Sequence, residues 1–566
     1  MAALHAGGNT SLSSDGETPP PAAVHRHQGG WGATSFIIAT VFGLTLAGGW
    51  SANLIVFLIN EFNIKRIDAA QISNVVAGCI SFFPVVGAVV ADSLLGCFSV
   101  IWISSLISLL GLILLLLIVA VESLNPPACQ PASNFCPTPS TTQYAVLYSA
   151  IALASIGLGG FRFTLATMGA NQFHKIKHQS TFFNWYFFSF YGASLIASTG
   201  IVYVEDNLGW RWGFGICIAS NVLALALFIA AAPYYLRDKP RGSPFTGLLR
   251  VAVASIRKRK ALISSQPKDY YYGDDVHIHG ADADIPPTNW FRQLNRAALK
   301  TEGDILISNG SSIATPWKLC SVQQVEDLKS IIRILPLWSS SIFLGTPIGV
   351  QLSLTVLQAL AADRRLSRRF QFPAGSVPVF SFASTAIGLA LINHCFRPMW
   401  KKTAGKNPTP LQQIGIGHVF NIASMAVSAL VESRRRSSAV SGHLMSVVWL
   451  VPQMVVVGIG EAFHFPGQVG LYYQEFPTCL KSLSTAMVAM LIGVAFYLST
   501  AVLAFIRRIT DWLPDDINKG RVDYVYWVMV VIGIINFAYF LLISWSYQYK
   551  NGEVVNKDQI VSGEEA

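Results

Sequence analysis

Charge is scarce in this sequence. Only 12% of its 566 residues are Asp, Glu, Lys or Arg, about half the ~25% of a typical soluble chain, while 52% are hydrophobic and the mean hydropathy is +0.46. That balance excludes a soluble globular domain and a disordered chain; most side chains must face lipid or other helices. Cysteine is sparse too. Of the eight present, Cys79, Cys97, Cys217, Cys395 and Cys479 lie in or beside apolar stretches, which excludes a dense disulfide framework. Cys129 and Cys136, in the Pro-rich stretch from Asn125 to Pro139, are the two placed to pair across a non-cytosolic loop. No basic segment with a short apolar core and small-residue site opens the chain, so no removable signal peptide is expected. Gly405-Lys406 is followed by Asn407, which does not make a phosphate-binding loop. No Ser/His/Asp arrangement and no Cys/His cluster appears. The expectation is a protein with no enzyme activity, no cofactor, no metal and no nucleotide.

What the chain does have is length in apolar runs. Windows of about 20 residues, enough to cross hydrocarbon, fall near 31–59, 69–91, 98–121, 143–169, 182–204 and 211–232, then near 331–361, 376–395, 411–432, 445–468, 482–506 and 524–547. The expected organisation is a disordered cytosolic tail (1–28), a six-helix bundle (29–232), a cytosolic basic linker (233–328), a second six-helix bundle (329–548) and a cytosolic tail (549–566). From Arg237 to Lys260 the linker carries eight basic residues against one acid, Asp238. By the positive-inside rule this part is cytosolic, and even span counts put both termini on the same side. The net charge of +10 is thus a matter of topology rather than of nucleic-acid binding. Lys175, Lys177, Arg397, Lys401, Lys402 and Lys406 agree with this orientation. Arg364, Arg365, Arg368, Arg369 and the run Arg434 to Arg436 disagree; they read as solvated or headgroup-contacting loop charges, or as attractors of anions at the outer mouth.

Six spans, a linker and six spans suggest two homologous halves. Span four contains Ile156-Gly-Leu-Gly-Gly-Phe-Arg162 and span ten contains Val457-Gly-Ile-Gly-Glu-Ala-Phe463, so one glycine spacing recurs beside an intramembrane charge in each half. An unpaired charge at a helix centre costs about 2.5–3.5 kcal/mol on insertion scales, so such residues face a cavity or one another. Arg162 and Glu461 are therefore expected to meet across the interface of the halves, either as a salt bridge that locks them or as a working pair. In the working pair, ionised Glu461 neutralises Arg162, and protonation of Glu461 frees the guanidinium for an anion. His464 is a second candidate for proton coupling, with a neutral core histidine as the other reading. His174 and His178 have a helical spacing but no third ligand, and read as loop residues.

The segments Gly159-Gly-Phe-Arg-Phe-Thr-Leu-Ala-Thr-Met-Gly-Ala-Asn-Gln-Phe173, FFNWYFFSFYGASLIAST (182–199), EDNLGWRWGFGI (205–216), CSVQQVEDLKSIIRILPLW (320–338), VGIGEAFHFPGQ (457–468) and WLPDDINKGRVDYVYW (512–527) resemble the plant nitrate and peptide transporter family. That family is part of the proton-dependent oligopeptide transporters in the major facilitator superfamily. The resemblance covers about residues 29 to 548. It implies an all-α membrane protein of twelve transmembrane helices in two six-helix bundles, alternating access, and a central site in which Arg162 and Glu461 take substrate or coupling roles. Three departures stand out. The family's carboxylate motif on the first helix is replaced by Thr40-Val-Phe-Gly-Leu44. Thr346-Pro-Ile-Gly-Val350 stands where nitrate-transporting relatives can carry a His. In GAVVADSLLGCF (87–98), Cys97 replaces an expected base. The first and last together look most like the nitrate-excretion branch.

An inside-negative membrane opposes anion entry by about 2.3 kcal/mol per charge per 100 mV. An importer of nitrate must bring protons in with it, whereas export runs down the voltage, so loss of the helix-one acids suits an efflux carrier with weak or altered proton coupling. The expected function is low-affinity transport of nitrate, with chloride as a second cargo, across the plasma membrane. The expected partners are a small inorganic anion, protons and the lipid bilayer, with no nucleic acid. A proton-coupled carrier of an organic solute such as a hormone, glycoside or peptide is the alternative.

Overall fold

The computed structural model describes residues 29–127, 137–173, 175–237, 244–273, 287–301, 303–308, 311–315, 317–368, 370–476 and 484–547. Cys129, Cys136, His174, Lys239, Arg241, Arg369, Cys479 and the two tails lie outside them. Among the described residues eleven helical runs are long and apolar enough to cross a bilayer. One, Arg66–Ala120, has 55 residues and makes two crossings: Gly96, at φ 76°, holds a left-handed backbone open to few other residues and breaks the run. The twelve expected spans follow. The first six are α1 (Gly30–Asn60), α2 (Arg66–Val90), α3 (Gly96–Ala120), α4 (Thr141–Ala170), α5 (Thr181–Asn207) and α6 (Trp210–Ala230). A short helix, α7 (Pro244–Arg257), and an antiparallel hairpin, β1 (Ile305–Ser308) with β2 (Ser311–Ala314), lie in the linker. The last six are α8 (Val322–Leu360), α9 (Ala374–Ala404), α10 (Pro410–Val440), α11 (Val447–Tyr472), α12 (Ala486–Ile509) and α13 (Val522–Ser546).

Local sequence fixes where several of these start. Ser140 opens α4, Ser321 opens α8 and Thr409 opens α10, each with a Gln three residues on; the hydroxyl takes the Gln backbone N–H and the Gln carbonyl takes the cap's own. Two of the four unpaired N–H groups at the helix start are satisfied in this way.

The two halves repeat one packing scheme. α4 lies against α2 and α3 as α11 lies against α9 and α10, and α1 lies against α6 as α8 lies against α13. The recurring glycines make this possible. Gly157 of α4 abuts the backbone of Ser108 in α3, and Gly458 of α11 abuts Ser381 and Ser384 in α9; a methyl group at either would push the helices apart. Between the halves the scheme is lopsided. α2 packs along α12, while the equivalent pair, α5 and α9, touches sparsely.

The end of the molecule remote from the termini is tied shut. Arg364 Nη1 lies 3.8 Å from Asp206 Oδ2, Lys65 Nζ lies 3.5 Å from Asp515 Oδ2, and Arg507 pairs with Asp68, each pair joining one half to the other. Tyr203 stacks on Phe370 across the same divide at 6.1 Å between ring centres. Arg364 is thus not a free loop charge. Nor is Arg435, which is 1% exposed: its Nε and Nη2 donate to Glu432 at 2.8 and 2.9 Å and its Nη1 to Asn518 at 2.6 Å. Gln358 adds a further donor to Glu432 at 2.7 Å. Two of the charges that contradict the positive-inside rule, Arg364 and Arg435, are thus held in internal pairs, which hydropathy windows do not register.

Candidate functional site

Between the halves lies a cavity of about 260 Å³ whose wall is drawn from both. Arg162 of α4 and Phe190 of α5 stand on it from the first half. Asn74 of α2 and Ser353 of α8 meet there, with Asn74 Nδ2 donating to Ser353 Oγ at 3.3 Å. Phe382 of α9 and Phe496 of α12 complete the apolar part of the lining.

Arg162 is held at both ends. Its backbone carbonyl accepts from Tyr186 Oη at 2.6 Å, which pins α4 to α5, and its guanidinium carbon lies 4.4 Å from the centre of the Phe190 ring. A cation over an aromatic face keeps part of the stabilisation it loses on leaving water. Its planar N–H donors are not consumed by that contact, and among the described residues no side chain accepts from them. The result is a single guanidinium, oriented and available, in an otherwise uncharged cavity wall.

Glu461 does not meet it. Among the described residues no ion pair joins Arg162 and Glu461; the expectation that they touch is corrected here. The Glu461 side chain turns to α9, where Oε2 accepts from Ser381 Oγ at 3.4 Å and from Thr385 Oγ1 at 3.3 Å. The Thr385 hydroxyl also lies 2.8 Å from the Ser381 carbonyl and 3.0 Å from the Gly458 carbonyl. One hydrogen cannot serve three acceptors, so the carboxyl of Glu461 is only weakly held. The physical reason for the separation is helix rotation: the glycines beside each charge face neighbours in their own bundle, and this turns α11 so that Glu461 follows α9.

His464 faces yet another way. It is 2% exposed, with its ring 5.9 Å from that of His418 in α10 and nearly perpendicular to it, and its Nδ1 has no hydrogen-bond partner among the described residues. It lies in the seam of α10 and α11 and is not on the cavity wall. Of the three sequence candidates, the structure places Arg162 on the cavity, Glu461 on α9 and His464 inside the second bundle. Among the described residues no group of His, Cys, Asp and Glu is arranged to hold a metal.

Sequence reasoning missed the polar pair Asn74 and Ser353 and the aromatic seat Phe190. Nothing in their spacing separates them from other span residues. It also missed Glu205, because the fifth apolar window ends at 204 and leaves this residue to a loop.

The model of the family described as PTR2, POT family, matches residues 98–518. Among curated proteins, the chain is 50% identical over 553 residues to the Arabidopsis thaliana protein NRT1/PTR family 2.7, covering 96% of this chain and 97% of that one. It is 50% identical over 559 residues to Arabidopsis NRT1/PTR family 2.6, covering 97% and 98%. Among solved structures, an auto-inhibited POT family peptide transporter is similar with a TM-score of 0.70 at 17% identity, over 91% of this chain and 97% of that one, a likeness of fold. The fold is of the major facilitator type, and the protein is a multi-pass membrane transporter and not an enzyme. With a match over most of its length and half of its residues shared with plant relatives, the chain belongs to the POT family, in its NRT1/PTR group.

Proposed function

We propose that this transporter carries nitrate, with chloride as a second cargo, across the plasma membrane by alternating access, at low affinity and in the efflux direction, as in the nitrate-excretion branch. The termini and linker face the cytosol. Arg162 anchors the anion, and Glu461 is a proton site that tunes rather than drives the cycle. The observation that carries this reading is the lone guanidinium of Arg162, seated on Phe190 and facing a cavity of about 260 Å³. That volume is below the ~300–1,000 Å³ usual for drug-sized ligands and suits a small planar anion, which a guanidinium binds through paired N–H donors. The absence of a carboxylate at Thr40-Val-Phe-Gly-Leu44 and the separation of Glu461 from Arg162 both support weak proton coupling. His464, enclosed by its own bundle, takes no direct part in anion binding.

The aromatic lining supports a second reading, a proton-coupled carrier of an organic solute: Phe161, Phe190, Phe382 and Phe496 all border the cavity. Radiolabelled nitrate flux in proteoliposomes at set voltage and pH tests the first reading. Saturable flux that follows the voltage without an obligatory proton gradient is the expected result. No flux, or nitrate flux strictly dependent on a proton gradient, would overturn it.

A further inference from the structure

Glu205 is the last carboxylate but one on α5; it is 2% exposed, and among the described residues neither carboxylate oxygen has a donor in full hydrogen-bond geometry. Its side chain fits against Gly213 of α6, where a Cβ would leave no room for it. Cys217, one turn along α6, and Asn53 of α1 are its other near polar neighbours. Asn53 is the amide within its reach, and the Nδ2 of that amide donates to Asp206 Oδ1 at 3.1 Å. Asp206 in turn is the residue that Arg364 reaches from the other half. A second cavity, about 430 Å³, lies at this end, bordered by Glu205, Asp206, Glu61 and Arg364.

The charged groups around Glu205 are therefore Asp206 on its own helix, Glu61 from the turn after α1 and Arg364 from the loop after α8; on α6 the titratable neighbour is the Cys217 thiol. Glu61 accepts from Asn125 Nδ2 at 3.1 Å, and the nearest carboxylate to Arg364 is that of Asp206, at 3.8 Å. The nearby Arg211 donates to the Val119 carbonyl at 3.3 Å. Among the described residues none of these cations forms an ion pair with Glu205. A carboxylate 2% exposed, at the edge of a cavity and with no cation paired to it, is more costly as an anion than as the neutral acid.

We propose that Glu205 is a proton-binding site of the gate remote from the termini, taking up a proton from that side when the gate closes and returning it to water when the gate opens. Closure tightens Arg364 onto Asp206, draws Asn53 toward Asp206 and strands the Glu205 carboxyl, which then holds a proton on one oxygen. Opening admits water, which receives that proton. By linkage, one proton bound only in the closed form raises the closed-to-open ratio up to about tenfold per unit fall in pH. The site rests on alternating access and not on the identity of the cargo.

The test uses the full-length transporter in lipid nanodiscs, with the exposed Cys395 replaced by serine and spin labels at Leu208 and Val440. These positions are 66% and 77% exposed at the ends of α5 and α10, one in each half. Double electron–electron resonance reads the separation of the halves as pH falls. The expected result is a closed population that grows on acidification in the wild type, a Glu205→Gln variant closed at every pH, and a Glu205→Asp variant that keeps the response. A wild-type distance distribution that does not change with pH overturns the proposal even if the variants fail to fold. So does a Glu205→Gln variant with an unaltered response. Loss of nitrate flux with the gate response intact would remove the cargo assignment alone.

Discussion

Arg364 Nη1 approaches Asp206 Oδ2 to 3.8 Å and so fastens the loop after α8 to the end of α5. With Arg507 on Asp68 and Lys65 on Asp515, it makes the closed end of the molecule an electrostatic clasp, while the cavity beneath is uncharged except for Arg162. Ion pairs that are partly hydrated suit a gate that must open: each is worth about 0.2–1 kcal/mol, enough to bias a population and too little to lock it.

Removing one rivet should shift that bias without unfolding the protein. Arg364→Ala is expected to raise the population open at this end by at most about fivefold, the equivalent of ~1 kcal/mol. Distances between labels on the two halves measure it, and an unchanged distribution would show that Arg364 contributes nothing to closure.

Anion transport should depend on the guanidinium of Arg162. A hydrogen bond to a charged group is worth about 1.5–3 kcal/mol, so Arg162→Ala is expected to lower nitrate flux at least about tenfold at unchanged surface protein. Arg162→Lys should retain part of the flux, because it keeps the charge and loses the planar fork. Flux assays paired with surface labelling decide the matter: a loss of folded protein would mean a structural role, and a lysine variant as inactive as alanine would mean that charge alone does not define the site.

Glu461→Gln should flatten the dependence of flux on pH while leaving anion binding in place, since its carboxyl is held by Ser381 and Thr385 and not by Arg162. Measuring flux across a pH series at fixed voltage tests this. A profile identical to wild type would remove Glu461 from the mechanism.

The linker holds a buried pair of its own. Lys258 Nζ lies 2.5 Å from Asp304 Oδ2 and 2.6 Å from the Leu299 carbonyl. Burial works against the Asp304 carboxylate, yet the hydrogen bonds from Lys258 and Thr301 outweigh it and hold the group below the ordinary aspartate range. A carboxylate depressed in this way stabilises the fold fully above its unfolded value of about 3.9 and loses that contribution as pH falls through the folded value. Asp304→Asn should therefore loosen the linker at neutral pH, by about 1–3 kcal/mol for a buried donor left short of its partner. Faster hydrogen exchange over Tyr270 and Leu299 in the variant is the expected readout, with the difference shrinking in acid; equal exchange at neutral pH would show the pair to be dispensable.

Much of this was legible in the residues. Twelve apolar windows became twelve crossings, with Gly96 dividing the second from the third, and the glycine runs at 157–160 and 458–460 did mark a repeated packing. Arg162 was visible as a charge that lipid would not tolerate. What the sequence could not reveal was direction. Arg162 and Glu461 have matching positions in matching spans, yet one faces the cavity and the other follows α9, because a helix's rotation is set by what its neighbours accept. Arg435 looked like a loop charge and is buried on Glu432, one turn back on α10, in a pair that Asn518 and Gln358 complete from elsewhere in the chain; a hydropathy window registers neither contact.

The sequence by itself determined that the chain lives in a membrane, how often it crosses, that its halves repeat, and which family it resembles, because these depend on length, composition and local spacing. Only the tertiary structure decided which charges pair, which end is clasped, and that among the described residues no cation pairs with Glu205. Those outcomes depend on contacts between residues as far apart as Asp68 and Arg507, and nothing local encodes them.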